Sequence, residues 1–150
     1  MKHFLGIEDE EFIRGKVPMT KKEIRILTLA GAKIGKNDIV CDIGAGTGSL
    51  SIEAALLAKA GHVYAVERKK EAVELIRQNA AKFGVENITI IESEAPAGLE
   101  RLPERLDAAI IGGTGSHLEE ILEFLDGRLK PGGFIVISHD VELLRDTVNQ

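Results

Sequence analysis

At 150 residues, with 44% hydrophobic and 29% charged residues, the chain has the core-forming capacity of one domain and the balance of a soluble globular protein. A net charge of −5 argues against a generic nucleic-acid binder. No apolar run approaches the ~20 residues a membrane span needs, and no secretory signal opens the chain. The single cysteine, Cys41, has no internal disulfide partner, so the expected location is the reducing cytoplasm.

Charge is unevenly spread. Residues 1–36 carry eight Lys/Arg against five Asp/Glu, and the rest carry 11 against 19. Within that basic start, Lys21–Ile34 has apolar residues at roughly helical spacing, with Thr20 as expected N-cap and Glu23 completing a capping box. DIVCDIG then reads as a short apolar strand, and SLSIEAALLAKAG as a helix closed by Gly61. HVYAVE is a second strand. KKEAVELIRQNAAKFG is an amphipathic helix with Ala72, Leu75, Ile76 and Phe83 in line, stopped at Gly84. NITIIES and LDAAIIGG are strands three and four, HLEEILEFLDGRL a helix, KPGG a turn and FIVISH the fifth strand. VELLRDTVNQ begins a further helix. Near-continuous apolar strands alternating with helices predict an α/β fold with a doubly wound, mostly parallel sheet.

Asp42, Gly44, Ala45, Gly46, Thr47 and Gly48 stand where the first strand meets the first crossover helix. In open α/β sheets ligands bind at the carboxyl ends of the strands, near the switch in strand order. The spacing is D-x-G-x-G-x-G, whereas a dinucleotide fingerprint reads G-x-G-x-x-G/A. An acidic residue beside the loop suits the ammonium of S-adenosylmethionine (SAM) and would repel a pyrophosphate. Glu67 ends the second strand, where a carboxylate accepts hydrogen bonds from both ribose hydroxyls. Glu94 and Ala95 follow the third strand, where SAM enzymes often bind adenine; Glu94 is a candidate acceptor for the adenine amino group, with a solvent-exposed carboxylate as the alternative. A SAM-binding Rossmann-like methyltransferase of class I is therefore expected, with no metal; an NAD(P) site, which uses the same acidic device at Glu67, and a purely structural loop are the alternatives.

Strand four ends IIGGTGS, without the Asn/Asp-Pro-Pro-aromatic signature of amine methylation on nucleobases. Cys41, beside Asp42, is expected to be structural rather than nucleophilic. Gly112, Gly113 and Gly115 leave space for a bulky flat substrate. With no evident base in that loop, the substrate should already carry a nucleophilic atom such as an electron-rich carbon, and the protein's main task is alignment.

GIEDEEFIRGKVPMTKKEIR, DIGAGTGSLSIEAA, SEAPAGL and IIGGTGSHLEEIL together resemble the decarboxylating precorrin methyltransferases of cobalamin biosynthesis, the CbiT-type carbon-15 enzymes, from about Gly6 onward. The resemblance implies methylation of ring carbon 15 of cobalt-precorrin-6B with loss of CO₂ from the carbon-12 acetate. By similarity, SAM would contact Thr20, the loop Gly44 to Gly48, Glu67 and Ala95. It also implies a homotetramer. The substrate's carboxylates need a locally basic mouth, for which Arg14 and Lys16 are the first candidates and Lys21, Lys22 and Arg25 the next. His117 and His139 are candidates for moving a proton when CO₂ leaves, with capping or packing the alternative for each.

Residues 1–150 are expected to form one SAM-binding domain, with residues 1–36 as its basic N-terminal segment. The C-terminal strand 6/7 hairpin that usually completes this fold is expected to be missing, which would make FIVISH an exposed edge. Two alternative functions stay open on the residues alone. One is another small-molecule or RNA methyltransferase; the other is a non-catalytic SAM-sensing or partner-binding domain.

Overall fold

The computed structural model describes residues 5–113 and 116–137. Gly115, His139 and the helix expected over VELLRDTVNQ lie outside the described residues.

Five strands, β1 (Ile39–Ile43), β2 (His62–Glu67), β3 (Ile88–Glu92), β4 (Leu106–Ile111) and β5 (Leu129–Ile137), form one sheet in the order β3-β2-β1-β4-β5, every pairing parallel. Four helices cross between or precede them: α1 (Lys22–Ala32), α2 (Ser49–Leu57), α3 (Lys70–Lys82) and α4 (Leu118–Asp126). The strand order reverses between β1 and β4, so the crevice opens where β1, β2 and β4 end. The expected doubly wound parallel fold is present, and β5 is the last strand among the described residues.

Burial on both faces explains the apolar runs. On one face Cys41, Ile43, Val66, Ala109 and Ile111 pack with Ile121 and Leu125 of α4. On the other, Val40, Val63, Ala108 and Ile110 meet Leu29 and Ala32 of α1 and Leu50, Ala54 and Ala55 of α2. Each fully buried Leu or Ile contributes roughly 1.5–3 kcal/mol. Cys41 is wholly inside, and burial pushes its thiol well above the usual range, as expected of a structural cysteine.

Three local expectations are corrected. Lys21, not Thr20, is the N-cap of α1, and no side chain of its own segment caps it; instead Asp9 Oδ1 accepts from Lys22 N at 3.0 Å. Helix α2 stops at Leu57 with Ala58 as cap. Gly61 serves a close approach instead: a Cβ there would lie 1.9 Å from the Asp38 carbonyl oxygen. The KPGG sequence does not separate α4 from β5 but lies within the strand. Between the pairs Leu106–Leu129 and Ala108–Phe134, β5 advances five positions while β4 advances two, and the excess bulges out. Gly84 does stop α3, where Val85 N donates to Ala80 O at 2.9 Å and Gly84 N to Ala81 O at 3.2 Å, satisfying two end carbonyls.

Candidate functional site

A cleft of about 880 Å³ opens at the carboxyl end of the sheet. Its floor is the loop after β1. Gly44 N and Ala45 N both donate to Val66 O, at 2.8 and 3.1 Å, folding the loop back over β2. At Gly44 the backbone has φ +74°, and a Cβ there would sit 2.5 Å from both Gly113 N and Gly113 O. Gly112 N and Gly113 N donate in turn to Ile43 O, at 2.8 and 3.3 Å. Thus Gly112 and Gly113 line the cleft, but they also let two backbone loops pack directly together.

Glu67 is the organising carboxylate. Its Oε1 accepts from Gly46 N at 3.0 Å and its Oε2 from Lys69 N at 2.8 Å. With 8% of its surface exposed it still faces the cleft. A carboxylate offers about four acceptor positions, so Glu67 retains capacity for two further donors. Asp42 sits behind the glycine loop, 1% exposed, and is not part of the lining. It shares the face of Val40, so it meets Ser51 of α2, whose Oγ donates to Asp42 Oδ2 at 2.6 Å. Burial, together with the nearby Glu67 charge and against the Ser51 hydrogen bond, raises the Asp42 carboxyl to about 6. Among the described residues, Asp42 Oδ1 is buried with no hydrogen-bond partner.

Of the other expected residues, Thr20, Ala45, Thr47, Glu94, Ala95 and His117 line the cleft with Gly44 and Gly46. Gly48 does not; it precedes α2 and packs against Ile76. His117 is the N-cap of α4 without a side-chain cap bond, its Nδ1 3.7 Å from Glu120 Oε1. Arg14 and Lys16 are exposed and lie outside the lining, whereas Lys21, Arg68 and Lys69 are exposed cations within it. Arg25, considered for the basic mouth, is instead completely buried. It donates from Nε to Glu53 Oε2 at 2.9 Å and from Nη1 to Asp9 Oδ1 at 2.8 Å and Thr20 O at 2.6 Å, with Nη2 on Ile7 O.

Two residues that shape the cleft went unread. Glu53 Oε1 accepts from Gly6 N at 2.7 Å and Ile7 N at 3.1 Å. Asn79 binds both Ile13 and Thr47. Each had a signal: Glu53 is the only charge in SLSIEAALL, and Asn79 continues the buried stripe Ala72, Leu75, Ile76.

The arrangement can hold a cofactor between a carboxylate, a bare-backbone loop and a covering N-terminal segment, Val17 to Lys21. Among the described residues no group of His, Cys, Asp and Glu could hold a metal ion, and no helix is long and apolar enough to cross a membrane.

Known proteins resemble this chain over most of its length. Residues 11–147 match the precorrin methyltransferase domain family. A Sulfurisphaera tokodaii protein, "Probable cobalt-precorrin-6B C(15)-methyltransferase (decarboxylating)", is 49% identical over 147 residues, covering 97% of this chain and 74% of that one. The cobalt-precorrin-6B C(15)-methyltransferase (decarboxylating) of Salmonella typhimurium is 40% identical over 133 residues, 88% of this chain and 68% of its own. The crystal structure of precorrin-6y C5,15-methyltransferase from Geobacter metallireducens superposes with a TM-score of 0.87 at 40% identity, covering 97% of this chain and 76% of that one.

Proposed function

From the premise that this chain belongs to the precorrin methyltransferase family, we propose that it methylates carbon 15 of cobalt-precorrin-6B from SAM and removes CO₂ from the carbon-12 acetate. The observation that carries the SAM half is the Glu67 carboxylate, clamped onto Gly46 N–H yet still facing the cleft. The family match favours this reading over an RNA methyltransferase or a non-catalytic domain.

The residues fit SAM. The Gly44 cradle leaves no room for a side chain, which keeps backbone available to the ligand. Glu67 has acceptor capacity for ribose hydroxyls, and the unpartnered Asp42 Oδ1 is a buried acceptor behind the loop for the ammonium end, through water. Ser93, Glu94 and Ala95 border the adenine side, and Thr20 closes the cleft from the strap. When bound, SAM supplies an electrophilic methyl group on a sulfonium.

What the chain itself does is align and shelter. Gly112 and Gly113 fix the wall across from Glu67, and Val17 to Lys21 cover the floor against water. Lys21, Arg68 and Lys69 offer cations to a carboxylate-rich substrate at the mouth. The electron pair left when the acetate C–C bond breaks is taken up by the macrocycle. The new methyl at carbon 12 needs one proton, and His117 stands in the lining as the candidate to carry it.

The test is incubation with cobalt-precorrin-6B and SAM labelled in its methyl group. Labelled methyl at carbon 15 with release of one CO₂ is expected, and label elsewhere or retained CO₂ would reject the assignment.

A further inference from the structure

The segment Val17 to Lys21 forms a wall of the cleft, although it precedes the α/β sheet in sequence and contributes no strand to it. Its position is held from two sides. At its far end Arg25 Nη1 donates to Thr20 O at 2.6 Å, and Arg25 is itself fixed by Glu53 of α2. At its near end the anchor is Asn79, on α3 and wholly buried.

Asn79 has every polar atom engaged. Its Oδ1 accepts from Ile13 N at 2.8 Å and its Nδ2 donates to Ile13 O at 2.9 Å. The second Nδ2 proton goes to Thr47 O, also at 2.9 Å, inside the glycine loop. From Ile13 the chain turns, with Val17 N on Arg14 O at 3.1 Å, and brings Pro18 O to 3.5 Å from where a Gly46 Cβ would stand. One side chain thus closes a ring that runs Thr47, Asn79, Ile13, Pro18, Gly46.

We infer that Asn79 is a positioning residue for the cofactor cleft, setting the distance between the covering strap and the glycine loop. Its partners are Ile13, on the segment that leads into the covering strap, and Thr47, in the glycine loop that lines the cleft. The inference rests on the SAM reading above, and the ligand places strap and loop under a common constraint when it binds.

The test titrates wild type and Asn79→Ala with S-adenosylhomocysteine calorimetrically, alongside their thermal melts and the KM and kcat for SAM. With the ring opened, affinity should fall about tenfold in a variant that is folded at the titration temperature, and KM for SAM should rise more than kcat falls. A lower Tm with unchanged affinity and KM would overturn the inference. Hydrogen exchange on the wild-type chain gives a second readout that does not require the variant to fold. Adding S-adenosylhomocysteine should protect the amides of Ile13, Val17 and Met19 to Lys21 together with those of the glycine loop, and protection of the loop alone would overturn it. Failure of the wild type to bind at all would instead reject the SAM reading.

Discussion

At the scale of single residues, the site is a set of acceptors and bare backbone. Glu67→Ala removes the partner of Gly46 N–H and Lys69 N–H as well as the ribose acceptor. S-adenosylhomocysteine affinity should fall about 10- to 100-fold, read by calorimetry. Gly44→Ala forces a methyl onto the Gly113 backbone at a positive φ that itself costs about 1–3 kcal/mol. Binding should be lost with a measurable fall in Tm. Asp42 gives a pH prediction with a defined sign. Its carboxyl titrates near 6 when folded against 3.8 as its ordinary value, so between those pH values the native state holds the extra proton. Stability is therefore lost as pH rises through that window, by about 3 kcal/mol once Asp42 is fully ionised. Asp42→Asn should raise Tm at pH 7 relative to wild type, narrow the gap near pH 4, and weaken cofactor binding. A Tm difference independent of pH would show that Asp42 is not the titrating group.

At the scale of elements, the N-terminal segment is held onto the α/β unit by buried polar contacts. Arg25→Ala leaves Glu53 buried without its cation, a loss of about 3–5 kcal/mol, or a fall in Tm on the order of 10 °C. Lys22→Ala breaks only an exposed pair with Glu8 and should leave Tm near the wild-type value. This is also where sequence reading met its limit. The alternation of strands with helices and the glycine loop were legible because apolar periodicity and glycine spacing report burial and backbone approach directly, whereas the strand order β3-β2-β1-β4-β5 was not. The partners of Arg25 were not, because they lie on Asp9, Glu53, Thr20 and Ile7, contacts that exist only once the chain has folded. A basic residue in a basic stretch looked like surface, and instead it is a completely buried hub. Asn79 was missed for the converse reason: a polar residue on an apolar stripe interrupts the pattern that marks the core. The KPGG turn failed because its bulge is tolerated within β5, at the edge of the described sheet.

At the scale of the molecule, the proposed function asks a chain of net charge −5 to take up a carboxylate-rich substrate. Screening decides the balance. Near 0.15 M salt the Debye length is about 8 Å, so acidic groups farther away act weakly while Lys21, Arg68 and Lys69 act at contact range. KM for the corrinoid should therefore rise between low and high salt, and a falling KM would mean that global repulsion dominates. The cofactor cleft underlies all of this, and a calorimetric titration of the chain with S-adenosylhomocysteine, repeated with NADH, tests it most directly. Micromolar binding of S-adenosylhomocysteine and none of NADH is predicted. A folded chain that binds neither, or prefers NADH, would contradict the account.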